Sequence, residues 1–298
     1  MLFGLCVPAF AAAERGVMVR VAEIYLSPDP NSQKMAQIDR GREVAVLERS
    51  HEWVKVYAGI APEQDITGWM LDKGIVTANT PNGDKILFGE AVDSENEASR
   101  RHGRKGAAED AQRLYARAAE YFPNSPLAAE AFYRAADVRW QLDREDIMSR
   151  PSARQVDPSL RQEIEPQYMH QVMKKYPHTK WADLAAYRLI DNKLCGQWDG
   201  TPKCPEKEAE LYEKYANDHP DSPVTPEALY EAASRRAALI VIYQQNDEGK
   251  KSDDAKARAQ ALAEKITARY PQTDWASRAY RLIFYVQQNI PTVGNMVQ

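Results

Sequence analysis

Two eight-residue stretches of this chain share five of their eight residues: residues 175–182 read KYPHTKWA and residues 269–276 read RYPQTDWA. Each has a tyrosine before a proline, a threonine two positions after the proline, and then tryptophan and alanine. Two further segments share part of this pattern, so four prolines align: Pro123, Pro177, Pro220 and Pro271. A motif that recurs at intervals of 54, 43 and 51 residues predicts a repeat architecture.

The letters on either side of each proline predict two helices joined at a corner. The residues nine, five and one before the proline are mostly apolar and form one stripe of an amphipathic helix. That helix should end before the proline, because the residue preceding a proline avoids the α conformation. The next helix should begin at a serine or threonine N-cap, and two copies should have proline as the first helical residue. The expected caps are Ser125, Thr179, Ser222 and Thr273, and the two prolines are Pro126 and Pro223.

Each copy therefore predicts a helical hairpin, and hairpins in series predict an all-α solenoid over residues 107–298. Alanine lies eight positions after every aligned proline, where a small side chain lets two helices approach closely. The expected hairpins are 107–142, 159–194, 205–246 and 253–290. The expected loops between them are 143–165, 195–204 and 246–253.

The corners, written Y-P-x-[ST]-x-x-A-x-x-A, resemble the tetratricopeptide-like repeats of bacterial envelope proteins. They are similar to the periplasmic repeats of the outer-membrane-protein assembly lipoprotein and of the Tol-Pal accessory protein. A solenoid of such hairpins offers a concave groove for an extended peptide or a partner helix.

The segment 14–80 has short alternating stretches separated by turn residues, which predict a small all-β barrel. Arg40-Gly41, the run from Ser50 to Val56 and Gly68-Trp69-Met70 resemble a bacterial SH3 domain, whose members bind cell-wall peptides or protein segments. The aromatic candidates for binding are Tyr25, Trp53, Tyr57 and Trp69. Trp53 and Trp69 have an alternative as core residues of so small a barrel. Residues 81–106 follow as a polar, charged linker.

The first thirteen residues are apolar and end in small residues with A-x-A spacing, which predicts a signal peptide over 1–13. It lacks a positively charged start, so we expect it to be truncated; a short buried segment is the alternative. An exported chain meets an oxidising compartment, and we therefore expect a disulfide between Cys195 and Cys204 rather than two free thiols. Trp198, in the loop between them, is expected to be exposed and is a further binding candidate.

Composition and the absence of known motifs argue against several classes of function. The net charge of −4 over 298 residues is unlike that of a nucleic-acid-binding protein, which is usually strongly basic. Beyond the predicted signal peptide, no apolar run is long enough for a transmembrane helix. No phosphate-binding loop, nucleophile elbow or zinc motif occurs, so we expect no catalytic residues, no metal and no cofactor.

These expectations favour a periplasmic or secreted scaffold of the cell envelope that binds protein or peptide partners. The alternative is a subunit of peptidoglycan metabolism in which the SH3-like domain targets the cell wall. A purely structural spacer is a third reading. The sequence does not name the partner.

Overall fold

The computed structural model describes residues 14–292, so the predicted signal peptide over 1–13 lies outside the described residues. Seven strands come first: β1 Glu14–Met18, β2 Ala22–Tyr25, β3 Lys34–Ile38, β4 Glu43–Ser50, β5 Trp53–Ala61, β6 Gln64–Leu71 and β7 Ile75–Thr77. Helices follow: α1 Gly83–Ala98, α2 Ala107–Tyr121, α3 Ala128–Met148, α4 Gln167–Lys175, α5 Lys180–Arg188, α6 Lys203–Asp218, α7 Thr225–Gln245, α8 Gly249–Arg269 and α9 Asp274–Gln287.

The strands form one antiparallel sheet with the order β3-β2-β6-β5-β4-β1-β7. The all-β character of residues 14–80 is confirmed. In this pairing β3 and β7 are the two edges of the sheet, so closure into a barrel is not confirmed and stays a prediction.

One face of the sheet encloses an apolar core that includes Ile24, Val44, Val56 and Met70, none of them accessible to solvent. Gly68 lets β6 lie close to β2, because a Cβ at this position would be 2.4 Å from a methyl carbon of Ile24. This contact gives a physical reason for the glycine of the Gly-Trp motif.

The other face of the sheet packs against helices at its β1 and β7 edge. Val17 and Val76 share a buried cluster with Leu87 of α1 and with Leu114 and Tyr115 of α2. Within the predicted linker over 81–106, residues 83–98 form α1, and its Leu87 is buried in this cluster with Phe88 packed against it.

Gly41, before β4, has a φ of +72° and lies directly against α2. A Cβ at this position would be 2.5 Å from the Cβ of Arg113, and any side chain would displace the helix. Arg113 also donates from Nε to the carbonyl of Arg40 at 3.0 Å. The close approach of sheet and helix therefore depends on this glycine.

The chain divides into two compact units, one ending at Arg139 and one beginning at Trp140. The boundary lies within α3 and not in the predicted linker. The first unit holds the sheet, α1, α2 and the start of α3. Each unit is described by itself below.

In the second unit, neighbouring helices pack as pairs: α4 with α5, α6 with α7 and α8 with α9. Helix α7 also packs against α8, so successive hairpins lie side by side. The corner alanines Ala185, Ala228 and Ala279 are fully buried, as the close-approach argument requires. The helical-hairpin architecture of this unit is thus confirmed, while its identity as a tetratricopeptide-like repeat stays a prediction.

Two of the four predicted helix caps are confirmed. The side chains of Thr179 and Thr273 accept from the amides of Ala182 and Ala276, each at 3.3 Å. Ser125 and Ser222 instead lie in the turn before their helices, which begin at Ala128 and Thr225. Pro126 and Pro223 belong to the same turns, so the expectation that they open the helices is wrong. The difference arises because the turn takes two extra residues in these two copies.

Two loop boundaries differ from the prediction. Helix α3 continues to Met148, and residues 149–166 form turns that include short 3₁₀ segments. The predicted loop over 246–253 shrinks to three residues, because α8 begins at Gly249.

Candidate functional site

Three of the aromatic candidates lie together on the sheet. Tyr25 pairs with Trp69 across β2 and β6, and the Tyr25 and Trp53 rings meet edge to face with centroids 5.5 Å apart. Trp53 is buried, whereas Tyr25 and Trp69 are half-buried. The Nζ of Lys55 lies 6.0 Å from the centroid of the Trp69 ring, which gives this aromatic patch a cationic neighbour.

Tyr57 lies elsewhere on the sheet and keeps 45% of its surface exposed. Its hydroxyl donates to the carboxylate of Asp65, and this hydrogen bond raises the pKa of Tyr57. The structure thus brings three of the four predicted sheet aromatics together and leaves Tyr57 apart from them.

The predicted disulfide is present: Cys195 and Cys204 are bonded, with their Cα atoms 6.0 Å apart. It joins the loop after α5 to the first turn of α6, where Cys204 is buried. Trp198 is half-buried rather than exposed, and its indole N–H donates to Glu208 at 3.1 Å. Trp198 therefore helps to hold the loop in place, and less of its surface is available to a ligand than the sequence suggested.

Sequence reasoning missed Glu208, the residue that organises this loop. Glu208 is 2% exposed, accepts from the amide of Cys195 at 3.0 Å and pairs with the Arg235 guanidinium at 3.1 Å. The sequence gives no indication that a single glutamate in a charged helix is buried. Only its helical spacing, one turn after Cys204, could have pointed to it.

The second unit contains an open groove with a volume of about 950 Å³. Its floor is aromatic, with Trp140 from α3, Tyr187 from α5 and Tyr212 from α6. Trp140 is almost fully buried. Its indole N–H donates to Asp191 at 3.2 Å, so the polar edge of the ring has a partner.

The rim of the groove is strongly polar. It carries four acidic side chains, Glu145, Asp191, Glu227 and Glu231, and two basic ones, Arg144 and Arg188. Its formal balance is −2, and Arg235, which lies outside the lining, offsets one of these charges by pairing with Glu231. The remaining acidic charge favours a ligand with positive charge.

The tyrosines of the floor stay protonated at neutral pH. Burial raises the pKa of Tyr212 to about 12, with a smaller opposing effect from the Arg235 charge. Burial also raises the pKa of Tyr187, and the nearby Glu227 carboxylate adds to the shift. The floor can therefore offer ring faces to a ligand, whereas the Tyr187 hydroxyl is already hydrogen-bonded to Glu227.

Concave sites with aromatic walls and a few polar groups can hold and orient a ligand. Within residues 14–292, no group of three or more His, Cys, Asp or Glu side chains could hold a metal ion. None of the helices in that range is long and apolar enough to cross a membrane.

No family model and no curated protein match this chain. Solved structures that align with it are designed helical proteins. The designed helical repeat protein DHR64 aligns over 70% of this chain and 94% of its own, with 16% identity and a TM-score of 0.25. The DHF119 filament covers 71% of this chain and 96% of its own, with 16% identity and a TM-score of 0.24. Likenesses with TM-scores this low carry no argument about this chain.

Proposed function

We propose that this protein is an exported scaffold of the cell envelope that binds an extended protein segment in the groove of its second unit. The observation that carries the proposal is the aromatic floor of Trp140, Tyr187 and Tyr212 under a rim with more acidic than basic side chains. Such a groove matches a segment with basic side chains, whose aliphatic stems cover the rings while their charges meet the rim.

The disulfide supports export, because such bonds persist mainly in oxidising compartments. The first unit, proposed to be an SH3-like barrel, would supply a second contact through the patch of Tyr25 and Trp69. A partner that touches both units would gain affinity through effective concentration. Peptidoglycan is a candidate for that second contact.

The groove is tested by site-specific crosslinking in an envelope extract. A photoreactive benzoylphenylalanine replaces Met148, which is exposed and lines the groove. In the matched control it replaces Glu210, which is exposed on α6 and does not line the groove. We expect a crosslinked partner from position 148 and none from position 210.

Charge reversal gives an independent measurement with the partner so identified. Glu145→Lys reverses an exposed rim charge, and Glu210→Lys makes the same change outside the groove. We expect Glu145→Lys to weaken binding about threefold or more, in line with the magnitude of exposed charge pairs. Equal effects of the two variants, or equal crosslinking from both positions, would count against the groove.

A parallel assay distinguishes the proposed scaffold from the alternative, a subunit of peptidoglycan metabolism. The purified chain is incubated with purified peptidoglycan, and sedimented protein and soluble muropeptides are both measured. Sedimentation without release supports binding of peptidoglycan by this chain without hydrolysis. Release of muropeptides by the purified chain would overturn the non-enzymatic proposal.

A further inference from the structure

A second cavity lies within the first unit, between the sheet and helix α2, with a volume of about 780 Å³. It is open because its walls carry small residues. Ala45 alternates with buried Val44 and Val46 on β4 and so faces away from the sheet core. Gly59 of β5 and Ala116 of α2 complete the space, which we call the basic cleft.

Four arginines line the basic cleft: Arg15 from β1, Arg42 from the turn before β4, and Arg113 and Arg117 from α2. The lining has one carboxylate, that of Glu43. Strand register places Arg15 beside Ala45, and Ala45 beside Tyr57, so a charged group and an exposed ring flank the small residue.

Glu43 shows how the cleft holds a carboxylate. Arg15 pairs with it, the Arg117 guanidinium lies 3.4 Å away, and the hydroxyl of Tyr121 donates to it at 2.5 Å. Although burial alone would raise it, the pKa of Glu43 is lowered by these hydrogen bonds and charges. Arg15 and Arg117 therefore already interact with a carboxylate of the chain itself, that of Glu43.

Arg42 has no such partner. Its Nε is buried without a hydrogen-bond acceptor, and its guanidinium forms no ion pair among residues 14–292. A guanidinium without an internal carboxylate keeps its charge and its terminal N–H donors for an incoming acceptor. Arg113, by contrast, pairs with Asp110 and with the Arg40 carbonyl.

We propose that the basic cleft binds an acidic peptide segment, with a side-chain carboxylate of that segment accepting from Arg42. The planar guanidinium matches a carboxylate in a bidentate fork. The fixed charge of Glu43 disfavours a dianionic phosphate more strongly than a single carboxylate. Ala45, Ala116 and the Tyr57 ring give the methylene groups of the ligand an apolar surface.

This site is additional to the proposed function and does not depend on the groove of the second unit. The two can fail separately, since the ligand charges are opposite. The probe for the cleft is a fluorescent eight-residue peptide of alternating glutamate and alanine with blocked ends. Its glutamine counterpart and inorganic phosphate are the two comparison ligands, and fluorescence anisotropy is the readout.

Arg42→Gln removes the unpaired charge without breaking an internal ion pair, and Arg101→Gln makes the same charge change at an exposed residue outside the cleft. We expect the acidic peptide to bind the full chain and Arg42→Gln to weaken it about tenfold, the range for a hydrogen bond to a charged group. Arg101→Gln should leave binding within about twofold of the starting value.

A second pair of variants keeps the test independent of Arg42. Ala45→Glu places a tethered carboxylate among the arginines, and Ala45→Gln adds the same volume without charge. We expect Ala45→Glu to weaken peptide binding at least about fivefold more than Ala45→Gln does.

Several outcomes would overturn the proposal. These are no binding of the acidic peptide at millimolar concentration, equal binding of the glutamine peptide, and displacement by phosphate as effective as by unlabelled peptide. Equal effects of Arg42→Gln and Arg101→Gln, or of the two Ala45 variants, would also overturn it.

Discussion

Opening the disulfide gives a stability change whose size follows from the structure. Cys195 and Cys204 are nine residues apart in sequence, and the bond closes this short loop onto the first turn of α6. Loop-closure entropy for this length gives about 2.7 kcal/mol of stabilisation. For a protein of this size, each kcal/mol corresponds to about 2–4 °C in melting temperature, so we expect reduction to lower the transition of the second unit by about 5–11 °C.

The assay has two parts. Intact mass after alkylation, with and without reductant, establishes that the bond has formed, and calorimetry then compares the oxidised and reduced chains. The double variant Cys195→Ala/Cys204→Ala should melt near the reduced chain and should not respond to reductant. Equal melting temperatures of the oxidised and reduced chains would refute the loop-closure reasoning. The contacts of Glu208 would then be sufficient to hold the loop without the disulfide.

Two further predictions concern the helices of the second unit. Thr273→Ala removes the side-chain cap of α9 and should cost about 1 kcal/mol in unfolding free energy by urea titration, whereas Thr267→Ala, in the last turns of α8, should cost nothing. Burial raises the pKa of Tyr212 from its ordinary value near 10 to about 12, so the contribution of Tyr212 to stability should be constant below about pH 10 and be lost as the pH rises to about 12. This contribution should be on the order of 2 kcal/mol, measured by urea titration as the part of the loss that Tyr212→Phe removes. Tyr215, whose pKa burial also raises to about 12, contributes to the remainder.

The helical corners could be predicted because each depends on local chemistry. A proline ends one helix whatever the rest of the chain does, and a threonine two residues later can cap the next. Thr179 and Thr273 behave in this way, and the buried alanines eight positions after the prolines follow the same register. Ser125 and Ser222 depart from it because the turn in their copies is two residues longer, and the helices begin at Ala128 and Thr225.

Helix α1 could not be predicted in the same way. It has no proline corner, its N-cap Asn82 makes no side-chain capping bond, and charged residues interrupt its apolar letters. Its stability comes from Leu87 and Ala91, which are buried against α2 and the sheet. Such long-range packing commonly overrides a weak local preference.

The candidate sites show the same division between local and long-range information. The sequence could single out Tyr25, Trp53 and Trp69 by residue type, but only strand register brings Tyr25 opposite Trp69. The basic cleft has no sequence signal, because Arg15 and Arg42 become neighbours of α2 only when the sheet packs against that helix.

The first corner shows why equal sequence repeats need not belong to one structural unit. Pro123 has the same local pattern as the other three prolines, yet the helix before it shares its buried cluster with α1 and the sheet as well as with α3. A corner motif determines where a helix ends, while the buried face of that helix determines what it packs against. In α2 that face holds Leu114, Tyr115 and Ala118, which meet Val17 and Val76 of the sheet. The recurrence of the motif in the sequence therefore gives the positions of the corners. The apolar face of each helix determines which elements it packs against, and so where one unit ends and the next begins.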